Sequence, residues 1–148
     1  MSKKSAKIAA LIEGCQNREL PAHYLGFFEC FNRGLFYEAH DVLEELWLPA
    51  RHGPDGRFYQ GLIQLAGAFV HLQKDRLRPA AALFEKARAN LTRYPGLHHS
   101  FRVQEALALI DEWSSRLNSS GFATNPLNHE HQPILRLAGS ISEPGQIS

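Results

Sequence analysis

Apolar residues recur at three- and four-residue spacing through most of this chain, the period of helices with one buried face, and the alternation expected of strands is scarce. Around Lys4 to Gln16, Ile8, Leu11 and Ile12 fall on one side and predict a short helix. Pro21 stands where the first helical residue tolerates a missing N–H, and the helix it opens runs to about Asn32 with Tyr24, Phe27, Phe28 and Phe31 as an aromatic face. After Gly34 a third helix runs from about Leu35 to Leu48, where Pro49 ends it. Gly53-Pro54-Asp55-Gly56 is a turn signal. The sixteen residues from Phe58 to Gln73 then contain no Asp, Glu, Lys or Arg, which predicts a central helix surrounded by protein. Pro79 opens the next helix, whose core face is Ala81, Leu83, Phe84, Ala87 and Leu91, and Tyr94-Pro95-Gly96 closes it. Ser100 is in position to cap a last helix carrying Val103, Leu107, Ile110, Trp113 and Leu117.

The predicted fold is all-α: a single compact bundle of about five helices over residues 1–118, followed by an irregular C-terminal tail over 119–148. Ser, Asn, Gly, Pro and His dominate that tail. Its final residues are expected to be mobile, and Pro133-Ile134-Leu135 is an apolar strip able to dock on the bundle.

Two of these helices carry polar groups that amphipathicity does not explain. In the third, Glu38, Asp41 and Glu45 share one side as a solvated stripe would, whereas His40 and Glu44, at i and i+4, lie along the side of Phe36, Leu43 and Trp47. In the charge-free helix, Gln60, Gln64, Gly67 and His71 share one narrow face opposite Phe58, Leu62, Leu65 and Phe69. Glycine costs about 1 kcal/mol relative to alanine inside a helix, so Gly61 and Gly67 predict close approach of another backbone, the preceding helix being the natural neighbour. His40 and Glu44 would then meet Gln64 and His71, with Trp47 and Gln60 near the loop.

Such a polar cluster reads first as a structural network, because glutamine amides and an imidazole–carboxylate pair can satisfy one another. Its metal-ligating candidates are His40, Glu44 and His71, for zinc, manganese or iron, with Gln64 holding a ligand in place. No His-Glu-x-x-His and no pair of Glu-x-x-His elements is present, so the spacing is specific to no known helical metal signature. His98-His99 and His129-Glu130-His131 read as solvated or capping residues, and the bases Arg76, Arg78, Lys86, Arg88 and Arg93 as a solvated surface. Gly-x-Ser-x-Gly elbows and phosphate-cradling glycine loops are absent.

Composition narrows the classes further. A formal charge of +1 argues against a nucleic-acid binder, and no stretch approaches the roughly 20 apolar residues of a membrane span. Cys15 and Cys30 are too few for a disulfide framework and read as thiols of a reducing compartment, so the expected location is cytoplasmic.

The run Phe31-Asn32-x-Gly34-x-Phe36-Tyr37-Glu38-Ala39-His40-Asp41-x-Leu43-Glu44-x-x-Trp47, followed by Tyr59-Gln60-Gly61-Leu62-Ile63-Gln64-Leu65-Ala66, resembles domain-of-unknown-function family 309. The likeness extends through His71 and Pro79-Ala80-Ala81-x-Leu83 to about Leu117. The resemblance implies a small all-helical domain and brings with it the label of a metal-dependent hydrolase. The family's polar motif corresponds to Glu38, His40, Asp41, Glu44, Gln60, Gln64 and His71, with Asp41 where glutamate is frequent and Pro79 where glycine is usual.

Three functions remain open on the residues. The favoured one is a structural or interaction domain that pairs with a second copy or a protein partner. The second is a metal-dependent hydrolase in which His40, Glu44 and His71 hold a divalent ion such as zinc or manganese, and Glu38 or Asp41 is the catalytic carboxylate. The third is a small-ligand-binding module using the His/Glu/Gln cluster.

Overall fold

Helical periodicity, aromatic faces and proline–glycine punctuation combine into six helices and one short ribbon in the computed structural model, which describes residues 3–11, 20–94 and 96–138. The helices are α1 (Lys3–Leu11), α2 (Ala22–Asn32), α3 (Phe36–Ala50), α4 (Gly56–Gln73), α5 (Leu77–Leu91) and, after the ribbon, α6 (Val103–Ser119). Strands β1 (Leu97–His98) and β2 (Phe101–Arg102) pair antiparallel between α5 and α6, with Leu97 opposite Arg102 and His98 opposite Phe101. Two residues per strand are too few to show a period, which is why the ribbon is invisible in the hydrophobic pattern. The expected continuation of the first helix to Gln16 lies outside the described residues, as do Cys15 and the residues beyond Ala138 that were expected to be mobile.

The charge-free segment is the centre of the fold. In α4, Phe58, Leu62, Leu65, Ala68 and Phe69 are completely buried. The Phe69 ring meets Phe31 of α2 at 5.6 Å, Phe36 of α3 at 5.1 Å, Phe84 of α5 at 5.2 Å and Trp113 of α6 at 4.9 Å. One side chain thus ties four helices to the fifth. Edge-to-face and offset pairs of this kind add about 0.5–1.5 kcal/mol each beyond the area they bury.

The two glycines of α4 do permit close approach, but of α5 and not of α3. A Cβ on Gly61 would stand 2.7 Å from Leu91 Cγ, and one on Gly67 would stand 3.2 Å from Leu83 Cδ1. The turn Lys74-Asp75-Arg76 folds α5 back along α4, so the nearest neighbour of this face is the helix that follows.

Four boundaries differ from the sequence expectation. Pro79 does not open α5, which starts at Leu77; it is the third residue, within the first turn, where its missing N–H forfeits no helical bond. Pro49 lies inside the last turn of α3, which ends at Ala50; the preceding turns are already formed, so the proline forfeits a single N–H bond without breaking the helix. Pro21 is the residue before α2, and its carbonyl accepts from the Tyr24 and Leu25 amides, both at 3.0 Å. Ser100 does not cap α6: it sits in the ribbon turn with φ 61°, and the residue preceding the helix is Arg102.

Beyond α6 the described chain is irregular except for isolated bridges, and it returns to the bundle. The Asn32 side chain bonds the Leu135 backbone in both directions at 2.8 Å, and Leu135 is completely buried. Arg78, expected to be solvated, stacks its guanidinium over Phe122 at 4.4 Å, and Arg88 pairs with Asp111 on α6. Among the described residues no helix is long and apolar enough to cross a membrane.

Candidate functional site

Three of the α3 polar residues gather into one group. His40 Nδ1 and Asp41 Oδ1 are 3.3 Å apart, and one ligand atom from each of His40, Asp41 and Glu44 lies within 4.8 Å of the others. Asp41 therefore does not belong to a solvated stripe: it is buried and turned toward His40. Glu38 and Glu45 are not free in solvent either. Glu38 reaches Lys7 of α1 at 3.7 Å, and Glu45 reaches His23 of α2 at 3.2 Å. Neighbouring helices cover that side of α3. A wheel fixes the Cα–Cβ direction, while the rotamer and the packed neighbour decide where the carboxylate ends.

His40 also faces a cavity of about 230 Å³ that it shares with Tyr37 of α3, Gln64, Val70 and His71 of α4, and Leu83 of α5. The exposed Tyr37 ring lies nearly parallel to His40, 9° from coplanar at 6.3 Å. His40, Gln64 and His71 thus line one space, whereas Glu44, Trp47 and Gln60 are absent from its lining. Trp47 and Gln60 are half-buried.

Among the described residues, the closed histidine–glutamate–glutamine network does not form as the two stripes suggested. Gln64 Oε1 accepts from Asn90 Nδ2 of α5 at 2.8 Å, and Asn90 Oδ1 accepts from Arg57 at 3.3 Å. The turn toward α5 that redirects the glycines redirects Gln64 as well. Asn90 had a visible signal: it is a polar residue on the buried face of α5, three positions after Ala87 and next to Leu91. Among the described residues, His71 Nδ1 and Trp47 Nε1 are buried polar atoms without a hydrogen-bond partner. Burial, reinforced by the nearby cations of Arg76 and Lys74, holds the His71 imidazole below its ordinary pKa, so it is neutral at pH 7.

A second cluster arises where the sequence suggested only solvated or capping histidines. His98 Nε2 stands 2.9 Å from Asp55 Oδ1, and His99 Nε2 stands 2.9 Å from Asp55 Oδ2. Burial alone would raise the Asp55 carboxyl. The hydrogen bonds from His99 and His98, with the charges those rings can carry, outweigh it and hold the carboxyl below its ordinary value. An ionised carboxylate only accepts, so both Nε2 atoms donate. Asp55 and the histidines are more than 40 positions apart, and no local pattern joins them. In the tail, His131 lies flat against Trp113, with ring centroids 4.6 Å apart.

Residues 24–83 match the family model of the domain of unknown function DUF309, the family that the motif resembles. The matched segment contains the whole His40–Asp41–Glu44 group and the α4 face of the cavity, and it ends before His98 and His99. Neither a curated protein nor a solved structure matches the chain.

Proposed function

We propose that this domain binds a divalent metal ion on His40, Asp41 and Glu44 and uses it to hold a small ligand in the adjoining cavity. The observation that carries this reading is the double role of His40, which both lines the cavity and belongs to a group of one imidazole and two carboxylates with ligand atoms within 4.8 Å. That donor set fits the ion: mixed nitrogen and carboxylate oxygen suits zinc, manganese or ferrous iron. Three protein ligands leave coordination positions open, as sites that bind exchangeable ligands do.

The protein's own groups define the ligand's chemistry. Ile63, Val70 and Leu83 offer apolar wall, and Gln64 and His71 offer two polar contacts on one side of it. A neutral His71 with an unpartnered buried Nδ1 gains a hydrogen bond when a polar ligand arrives. A ligand with a compact apolar body and a polar or anionic head fits this arrangement. When bound, a divalent ion supplies Lewis acidity, so hydrolysis of such a ligand is the reaction this site would support. Of the two carboxylates considered for a catalytic role, Asp41 adjoins His40, whereas Glu38 is engaged by Lys7 and does not line the cavity.

Calorimetry with zinc and manganese at about pH 7.5 on tag-free protein tests the reading, since imidazoles must be neutral to ligate. His40→Ala is expected to bind one ion fewer than the wild type, and manganese is expected to broaden the Gln64 side-chain amide signals in the wild type alone. Equal stoichiometry in the two proteins would leave the structural or interaction role as the better account.

A further inference from the structure

We propose that Asp55, His98 and His99 form a second divalent-metal site, a two-histidine, one-carboxylate set for a first-row transition ion such as zinc. It shares no residue with the α3 group and does not depend on that group binding metal. Two imidazole nitrogens favour zinc, iron, cobalt or nickel over magnesium and calcium, which prefer oxygen.

The spacing is close to that of a loaded site. Each Nε2 lies 2.9 Å from a carboxylate oxygen. Ligands held about 2.1 Å from a tetrahedral zinc stand roughly 3.4 Å apart, so each histidine–carboxylate pair has only to open by about 0.5 Å. Loading exchanges the two N–H···O bonds for coordination, with each imidazole proton moving from Nε2 to Nδ1. No electron transfer is involved, and an ionised Asp55 needs to lose no proton.

The backbone is built to bring these three side chains together. His98 is the last residue of β1 and His99 the first of the two-residue turn to β2, and their rings converge with centroids 4.3 Å apart. Both turn residues lie in the left-handed region, His99 at φ 48° and Ser100 at φ 61°, and this turn sets the His99 ring beside that of His98. Such a turn favours glycine, asparagine or aspartate, so a histidine and a serine in it cost free energy that the packing around them offsets. Asp55 shows a parallel departure. It occupies the residue before α4, where an aspartate ordinarily caps the helix, but its side chain makes no capping bond and gives both oxygens to the imidazoles.

Rigid walls hold the arrangement. Tyr59 stacks on His99 at 13°, and Phe58 and Tyr94 pack on His98 at 4.6 and 4.8 Å. The buried Tyr24 hydroxyl donates to the His99 carbonyl at 2.9 Å. Ligating rings fixed in this way lose little freedom when an ion arrives. About a third of the His99 side chain remains exposed, which gives an ion a route from solvent.

The test uses the tag-free full chain carrying His40→Ala, so that the α3 group is disabled. Zinc binding is measured by competition against cobalt, whose visible absorption reports nitrogen coordination, and thermal unfolding is recorded with and without zinc. The His40→Ala protein is expected to take one equivalent of zinc and to unfold at a higher temperature with it. Adding His98→Gln, His99→Gln or Asp55→Asn should weaken binding by more than the roughly 10–100-fold that losing a mere orienting neighbour costs, and should abolish the thermal shift. Asp55→Asn preserves shape and keeps the test valid if a histidine variant fails to fold. Absence of zinc uptake by the His40→Ala protein overturns the proposal. So does uptake that all three further substitutions leave unchanged, in which case the cluster is a hydrogen-bonded clasp and nothing more. Should the α3 group prove not to bind metal, the wild type would still take one zinc, lost on His98→Gln and retained on His40→Ala.

Discussion

The two histidine–carboxylate groups of this domain are assembled by opposite means. His40, Asp41 and Glu44 occupy adjacent turns of one helix, so forming α3 brings their donors near one another. Asp55, His98 and His99 meet across 43 and 44 positions, and their contact exists only when the start of α4, the end of α5 and the ribbon are all in place. The first group depends on rotamers and on what covers α3. The second depends on the closure of the whole fold and on a backbone conformation that L-residues rarely adopt. A local motif needs its own helix and the cover over it, while a group assembled over long range needs the closed fold.

The largest expected effect is common to both groups, because both hang on the packing of α4. Phe69→Ala removes a ring that touches four other helices and should cost about 3–5 kcal/mol. A urea titration should show a lower midpoint at unchanged slope. A loss under about 1 kcal/mol would mean that α4 is not their shared support.

The second effect separates the groups. Asp55→Ala leaves two half-buried imidazoles without their acceptor and should destabilise by about 2–3 kcal/mol, whereas His40→Ala removes one 3.3 Å contact and should cost about 1 kcal/mol. Chemical denaturation of the two variants in metal-free buffer gives the comparison. The reverse order would show that the helix-borne group is the one holding the fold together.

The smallest effect lies in the pH profile and sharpens the contrast. His71 is below its ordinary 6.5 in the folded state, so as pH falls past 6.5 the unfolded chain takes up the proton first and stability declines. Asp55 is below its ordinary 3.8, so its contribution is complete above that value and is lost as pH falls through the depressed folded-state value. Acid unfolding should therefore proceed in two stages. His71→Gln should flatten the decline just below pH 6.5 and leave the lower stage intact, and Asp55→Asn should do the opposite. Loss of both stages on either substitution would show that the cavity and the long-range cluster are coupled.

The chain alone determined where the main helices lie and which of them is central. A period near 3.6 residues exposes a buried face directly, and sixteen residues without a charge have few environments open to them other than the middle of a protein. It likewise determined that His40 with Glu44, and Gln64 with His71, project as stripes, since i and i+4 share a face on any helix. What the tertiary structure decided is which neighbour each stripe meets. Gln64 pairs with Asn90, and the glycines of α4 admit Leu83 and Leu91, because α5 folds back along that face. Asp41 turns to His40 because its rotamer answers to the helices packed around it. Asp55 finds His98 and His99 because a left-handed residue in a turn re-aims a side chain, and contact across more than 40 positions leaves no trace in local periodicity.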